Sequence, residues 1–357
     1  MLRRSSLALI FAVALQAQPP ADKDLNITPT ERDEAINKVL DALNSRYVFP
    51  DVAKKMDAAI RDRQKRHEYD AITSAREFAR VLTENLQDVS HDKHLRVRHS
   101  YDVIPQNAGR PGPPSTEEIE RARGQMAKQN FGFEKLERLS GNIGYLDLRA
   151  FMNASFVAET AVAAMNFLSN SDAVIIDLRK NGGGDPATVA LLSSYLFDDV
   201  THLNDLYFRP DDSTRQWWTL PYVPGKKLIN KPVYVLTSNR TFSAAEEFTY
   251  NLKNLKRATI VGETTGGGAH PGGGVRLSDH LSAFIPSGRA INPISKTNWE
   301  GTGVEPDVKV NQELALKTAH LMAVKKLRES EKDDRLSTQL LEISTTLEKE
   351  IGAQKAN

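Results

Sequence analysis

The sequence predicts an α/β core with a helical region before it and further helices after it. Three observations carry this expectation. Apolar residues before residue 100 recur at helical spacing, short apolar runs alternate with helical stretches from Ile143 onward, and the spacing is helical again beyond Asn311. With 357 residues the chain is long enough for a sizeable core and a smaller helical unit. Its 47 Lys and Arg against 46 Asp and Glu leave a net charge of +1, so nothing electrostatic points to nucleic acid or to a strongly acidic partner. The chain has no cysteine, which excludes disulfides, thiolate metal sites, a cysteine nucleophile and a lipoprotein anchor.

In chain order, residues 1–17 have the pattern of a secretory signal peptide. A basic start, Met1-Leu2-Arg3-Arg4, precedes an apolar stretch from Leu7 to Leu15, with small residues at Ala12-Val13-Ala14 or near Ala17 for cleavage. That stretch is too short to span a membrane comfortably. The expectation is an exported protein, periplasmic or extracellular, with no membrane span after signal removal. A polar linker covers 18–27. Thr28-Pro29-Thr30-Glu31 then starts a helix with proline in its first turn, and Ile36, Val39, Leu40 and Leu43 form its apolar face. A second helical pattern covers roughly Val52 to His67. A third runs from Ser74 to about Gln87, with Phe78, Val81, Leu82 and Leu86 on one face. These residues predict the core of a small bundle within a helical domain over 28–100. The connector, 101–140, holds a Pro/Gly-rich stretch from Pro105 to Pro114 and a charged helix from Glu117 to Gln129. The α/β core is predicted over 141–310. Helices over Asn311 to Leu327 and Leu336 to Ile351 fill the last segment, 311–357.

Within the predicted core, three apolar runs end in loops suited to chemistry. Ala173-Val174-Ile175-Ile176-Asp177 does not alternate, as expected of a buried parallel strand. It breaks into Asn181-Gly182-Gly183-Gly184-Asp185 before a helical stretch from Pro186 to Phe197. Glycines there let backbone N–H groups approach a ligand closely. The spacing is neither that of a dinucleotide fingerprint nor that of a phosphate loop. The short strand from Ala258 to Val261 leads into a second cluster, Gly262 to Gly274. The third run, Pro232 to Thr237, passes through Ser238-Asn239-Arg240-Thr241-Phe242-Ser243 into a helix reaching about Leu255. A serine at such a turn holds its hydroxyl out on a tight bend beside the first N–H groups of a helix, where an oxyanion is stabilised. Ser243 with Glu246 also fits the spacing of a helix-capping box.

Taken together, these segments resemble the C-terminal processing (tail-specific) peptidase family, on the branch that includes interphotoreceptor retinoid-binding protein modules and is related to the tricorn core peptidase. The resemblance rests on Gly144-Tyr145-Leu146-Asp147-Leu148-Arg149, on Ile176 to Gly184, on Thr241-Phe242-Ser243-Ala244-Ala245-Glu246, on Gly262-Glu263-Thr264-Thr265-Gly266-Gly267-Gly268, and on Gly288-Arg289-Ala290 through Trp299 to Asp307. It covers roughly residues 30 to 310. It implies a crotonase-like ββα superhelix for the core and a serine peptidase that forms an acyl-enzyme on peptide or protein substrates without a cofactor.

The resemblance also assigns residues. The family often places its general base, a lysine, at the position held here by Gly268, so a Ser-Lys dyad of that form is absent. The tricorn-like alternative takes a histidine from the N-terminal region. His94 matches through Asp92-Lys93-His94, and His91, in Ser90-His91, is the alternative base. The loose spacing of His91, His94 and His99, with no cysteine, argues against a metal. Glu300, in Asn298-Trp299-Glu300-Gly301, is the candidate carboxylate that orients the imidazole. Glu246 and Glu247 are nearer Ser243 in sequence but look like charges of a helix cap or face. The expected oxyanion donors are the N–H groups of Gly183, Gly182 and Ala244. A second function is implied by the retinoid-binding relatives: non-catalytic binding of an apolar small molecule. The Ser, His and Glu candidates together favour the enzyme. No PDZ-like peptide-binding domain is evident between His94 and Gly141, which leaves recognition of a substrate's C-terminal tail without a module.

Overall fold

A computed structural model describes residues 23–109 and 115–356. The expected signal peptide, part of the linker and residues 110–114 of the connector lie outside the described residues. The first three helices are α1 (Pro29–Arg46), α2 (Pro50–Lys65) and α3 (Ala75–Ser90). Thr28 and Glu31 cap α1 reciprocally, the Glu31 carboxylate accepting the Thr28 N–H at 2.8 Å. The apolar faces predicted for these helices are buried, but they do not close on one another alone. Leu277, Leu281, Ala283 and Ile285 complete their core. Those residues come from β10 (Leu281–Pro286) and from the turn that joins it to β9 (Gly272–Arg276). A three-stranded sheet, β1 (Arg96–His99), β10 and β9, is thereby laid under the bundle, with Arg96 opposite Phe284.

After α4 (Thr116–Ala127), the main sheet is formed by β2 (Phe133–Leu139), β3 (Ile143–Leu148), β4 (Ala173–Asp177), β7 (Val233–Thr237), β8 (Thr259–Gly262) and β12 (Val308–Lys309). Its order is β12-β8-β7-β4-β3-β2, parallel except for the antiparallel edge strand β2. β2 falls in the segment expected to be a connector. Its charged Phe-Glu-Lys-Leu-Glu-Arg-Leu pattern suits an edge strand and gives a weak strand signal. β4 and β7 are buried along their whole length, because helices cover both faces of the sheet. On one face lie α5 (Ala154–Leu168), α6 (Pro186–Ser193) and α7 (Ala244–Asn254), through Val157, Met165, Val189, Leu192, Phe248 and Leu252. On the other lie α8 (Gln312–Ser330) and α9 (Asp334–Ala356), through Ala315, Ala319, Val324 and Leu340. A second small sheet, β11-β5-β6, joins β5 (His202–Phe208), β6 (Ser213–Trp218) and β11 (Gly288–Ile291) beside α7. No helix among the described residues is long and apolar enough to cross a membrane.

Candidate active site

Adjacent parallel strands β4, β7 and β8 send their carboxyl ends to the same edge of the sheet, where open α/β sheets bind ligands. The loops after them carry Gly182–Gly184, Ser243 and Gly266–Gly268. Hydrogen bonds lace the three together: Phe242 N–H to Asn181 O at 3.0 Å, Thr241 Oγ1 to Leu178 O at 2.8 Å, and Gly266 N–H to Thr241 O at 2.9 Å. Ser243 immediately precedes α7 with φ 56° and ψ −122°, a conformation that a side-chain-bearing residue adopts at a cost. Such strain fits a turn that presents a hydroxyl rather than one that only starts a helix. Gly183 lies against it, with φ 105°; a Cβ there would stand 2.7 Å from Ser243 Cβ and 2.9 Å from Ala244 N, so only glycine fits.

Glu246 is the clamp of this arrangement. It is fully buried and accepts four hydrogen bonds: from Ser243 N–H at 2.8 Å, Thr265 Oγ1 at 2.5 Å, Gly267 N–H at 2.6 Å and Gly268 N–H at 2.9 Å. Burial pushes its carboxyl up to about 7, against the pull of those donors. Its role is to tie the start of α7 to the second glycine loop.

His94 lines the same cavity as Ser243. Its ring packs at 4.5 Å on Phe242 and at 6.0 Å on Phe284, and both ring nitrogens are buried with no hydrogen-bond partner among the described residues. Burial lowers the imidazole to about 4, with Asp92 pulling the other way, so it is neutral and able to accept a proton at neutral pH. A Cβ added at Gly268 would lie 2.2 Å from the Phe242 ring and 2.7 Å from His94 Cε1. The space that a side chain at 268 would need is therefore filled by Phe242 and by the histidine itself.

Ser243, Ala244, Gly182, Gly183 and His94 all line one cavity of about 400 Å³. The Gly183 N–H, expected as an oxyanion donor, donates to Asn181 Oδ1 at 2.8 Å. His91 stands apart, exposed at the C-terminal cap of α3 with φ 56°. Glu300 is brought near but not onto His94. Its Oε2 accepts the Ala269 N–H at 2.5 Å and lies 3.5 Å from His270 Nδ1, while Oε1 is buried without a partner among the described residues. Burial, reinforced by Asp92, pushes Glu300 up to about 7.

His270 is the site residue that sequence reasoning passed over, and Asp92 served there only to place His94. Asp92 is buried; it receives the His94 N–H at 3.0 Å and the Tyr47 hydroxyl at 3.2 Å, and it lies 2.7 Å from His270 Nδ1. The signal for His270 was present: it is the one titratable side chain in a run of Gly, Ala and Pro from 266 to 274. Asp92, His270 and Glu300 place one donor atom each within 4.8 Å of one another, the donor set of a divalent cation site. The 2.7 Å contact also makes Asp92 and His270 a hydrogen-bonded pair without an ion, with Glu300 beside them.

Comparison with known proteins gives this geometry a context. The model of peptidase family S41 matches residues 142–310, and the model described as the N-terminal domain of Peptidase_S41 in eukaryotic IRBP matches 27–134. Residues 142–310 form a peptidase family S41 domain. The chain is 25% identical over 244 residues to carboxyl-terminal-processing peptidase 1, chloroplastic, of Arabidopsis thaliana, covering 66% of this chain and 49% of that protein. It is 27% identical over 193 residues to the tail-specific protease of Haemophilus influenzae, covering 46% and 25%. The chain thus spans about half the length of the first relative and a quarter of the second. Such S41 proteins are serine peptidases. The fold is similar to a lipoprotein from Streptococcus agalactiae (TM-score 0.54, 17% identity, 84% of this chain and 98% of that one). It is also similar to the tricorn protease (TM-score 0.53, 13% identity, 89% and 37%). Ser243 and Glu300 lie inside the S41 domain, whereas His94 is supplied by the segment that matches the N-terminal model.

Proposed function

We propose that this chain is an exported serine peptidase in which Ser243 attacks the substrate carbonyl and His94 takes its proton. The observation that carries the reading is the pairing, in one cavity of an S41 domain, of a serine held at positive φ before a helix with a buried imidazole whose two nitrogens are unengaged. Proton transfer to His94 leaves an imidazolium whose charge buried Asp92 favours. The oxyanion falls to Ala244 N–H at the start of α7, with Gly182 or with Gly183 once Asn181 releases it. Glu300 serves as the orienting carboxylate, acting through the Ala269 backbone that it holds next to Gly268 and His94. The basic start and apolar stretch of residues 1–17 support export to the periplasm or beyond.

The test is covalent labelling with a serine-reactive fluorophosphonate. The wild-type protein is expected to label rapidly and Ser243→Ala not at all, with the alanine protein folded and inactive on peptides. Equal labelling of the two, or full peptide hydrolysis by Ser243→Ala, overturns the reading. The match of residues 27–134 to the retinoid-binding-protein domain favours a second reading, apolar small-molecule binding in the same cavity. An unlabelled wild-type protein that binds retinol would establish it.

A further inference from the structure

Glu247 is the buried acid that the mechanism leaves unused. It follows Ser243 by four residues, so it sits one turn along α7 on the same face as the nucleophile. It lines the cavity, yet the residue is only 3% exposed, and its Oε1 has no hydrogen-bond partner among the described residues. Fully buried Asn204 of β5 lies beside it, close enough for its amide to favour the ionised carboxyl, but neither amide atom makes a well-formed hydrogen bond among the described residues. Two residues on, and therefore on the same face of β5, Leu206 lines the cavity opposite Ala290 of β11. Leu206, Ala290, Ala269 and Trp299 form one apolar cluster. The cavity thus offers apolar walls and, at one end, a carboxyl whose hydrogen-bonding capacity is unsatisfied. Burial pushes that carboxyl up to about 8, and Asp185 reinforces the shift. Lys93, Arg96, Arg98 and Arg240 also line the cavity, but none of them is among the charges acting on Glu247.

We propose that Glu247 is a specificity-determining residue: it closes the pocket for the substrate side chain next to the attacked carbonyl and selects lysine or arginine there. The inference rests on the peptidase reading for the identity of the ligand. The aliphatic stem of such a side chain lies along the apolar walls while its cation pairs with the carboxylate, as long cationic side chains do elsewhere. An ammonium or guanidinium supplies the counter-charge that Glu247 lacks and better-placed donors for its carboxylate and for the Asn204 amide oxygen than the neighbouring amide gives. An apolar side chain of equal length fills the walls but leaves both groups unpaired, and sites built for a polar partner discriminate strongly against that.

The experiment compares two serine-reactive phosphonate esters that differ only in carrying a lysine-like or a norleucine-like side chain. Wild type is expected to react at least about tenfold faster with the lysine-like ester. Glu247→Gln brings that ratio toward one by slowing the reaction with the lysine-like ester. A ratio near one in wild type, or the same ratio in Glu247→Gln, overturns the proposal. Calorimetric binding of benzamidine to Ser243→Ala gives an arm that needs no reaction. Adding Glu247→Gln is expected to weaken that binding about tenfold, and equal binding sinks the proposal even if no reagent ever labels Ser243. Failure of labelling with benzamidine selectivity intact instead counts against the peptidase reading alone. Thermal unfolding of Glu247→Gln and Glu247→Met guards against a fold effect. Removal of an unpaired buried carboxyl should hold or raise the melting temperature, whereas a structural carboxyl predicts a fall with the selectivity ratio unchanged.

Discussion

His94 is held by ring packing rather than by hydrogen bonds, and this sets its chemistry. A buried imidazole between Phe242 and Phe284 is hard to protonate. The base works in its neutral form, and burial lowers its pKa to about 4, so protonation of the base costs activity only as pH falls toward that value. Glu300, pushed up to about 7, titrates first, so the limb of kcat/KM that belongs to the base is read in Glu300→Gln, where it is expected well below 6.5. A limb at 6.5 or above in that variant, from hydrolysis measured across pH 4–8, would assign the base elsewhere. His94→Ala should lower hydrolysis by about 10²–10⁴-fold, and His91→Ala, at an exposed helix cap, should change little. The opposite ranking transfers the role to His91. Glu300 acts at one remove. Glu300→Gln should lower activity about 10–100-fold, the usual cost of losing a group that positions another, with an unchanged melting curve. A loss of about 10⁴-fold, as when a triad carboxylate is lost, would mean direct contact with His94 in the working complex. An unchanged rate removes Glu300 from the mechanism.

At the level of elements, the site depends on how three loops are registered. Glu246 gathers donors from the start of α7 and from the second glycine loop, so its removal leaves Ser243 N–H, Thr265 Oγ1, Gly267 N–H and Gly268 N–H without their acceptor. Glu246→Ala should destabilise the protein by roughly 2–4 kcal/mol, at about 1 kcal/mol for each orphaned donor. Chemical denaturation of the two proteins measures this, and a loss below about 0.5 kcal/mol contradicts the clamp. The capping spacing of Ser243 and Glu246 was legible in the sequence, and the nucleophile turn was legible beside it. Sequence alone did not reveal that one glutamate joins both loops, because Thr265, Gly267 and Gly268 reach it only through the parallel pairing of β7 with β8. β2 was missed for a related reason. Its charged residues hide a strand that needs only one neighbour, β3.

For the whole molecule, the decisive fact is where the N-terminal helices find their core. Ile36, Leu40, Met56, Phe78 and Leu86 pack with Leu277, Leu281, Ala283 and Ile285, so the bundle shares one hydrophobic cluster with the small β1-β10-β9 sheet. The same packing carries His94, at the exit of α3, to a cavity built mainly from the S41 domain. Residues 23–100 expressed alone should therefore lack a cooperative thermal transition, since those partners are missing and the uncovered apolar faces cost about 25 cal/mol per Å² left in water. A sharp unfolding transition of that fragment, seen by circular dichroism, would show that the bundle closes by itself.

Local pattern was enough for the α/β class, the helices at both ends, the turn at Ser243 and the glycine loops, because strand period, helix period and turn chemistry act between residues close in sequence. His94 came from the family resemblance, through Asp92-Lys93-His94, with His91 as its alternative. What the tertiary structure alone decided is which side chains meet. Burial of Asp92 against His270, the seating of Glu300 on Ala269, and the exposure of a carboxyl at Glu247 to the cavity all join segments brought together only by packing. No period or spacing encodes such contacts. They follow from sheet order and from the shared core, which set the distances over which charges act and the burial that shifts their pKa values.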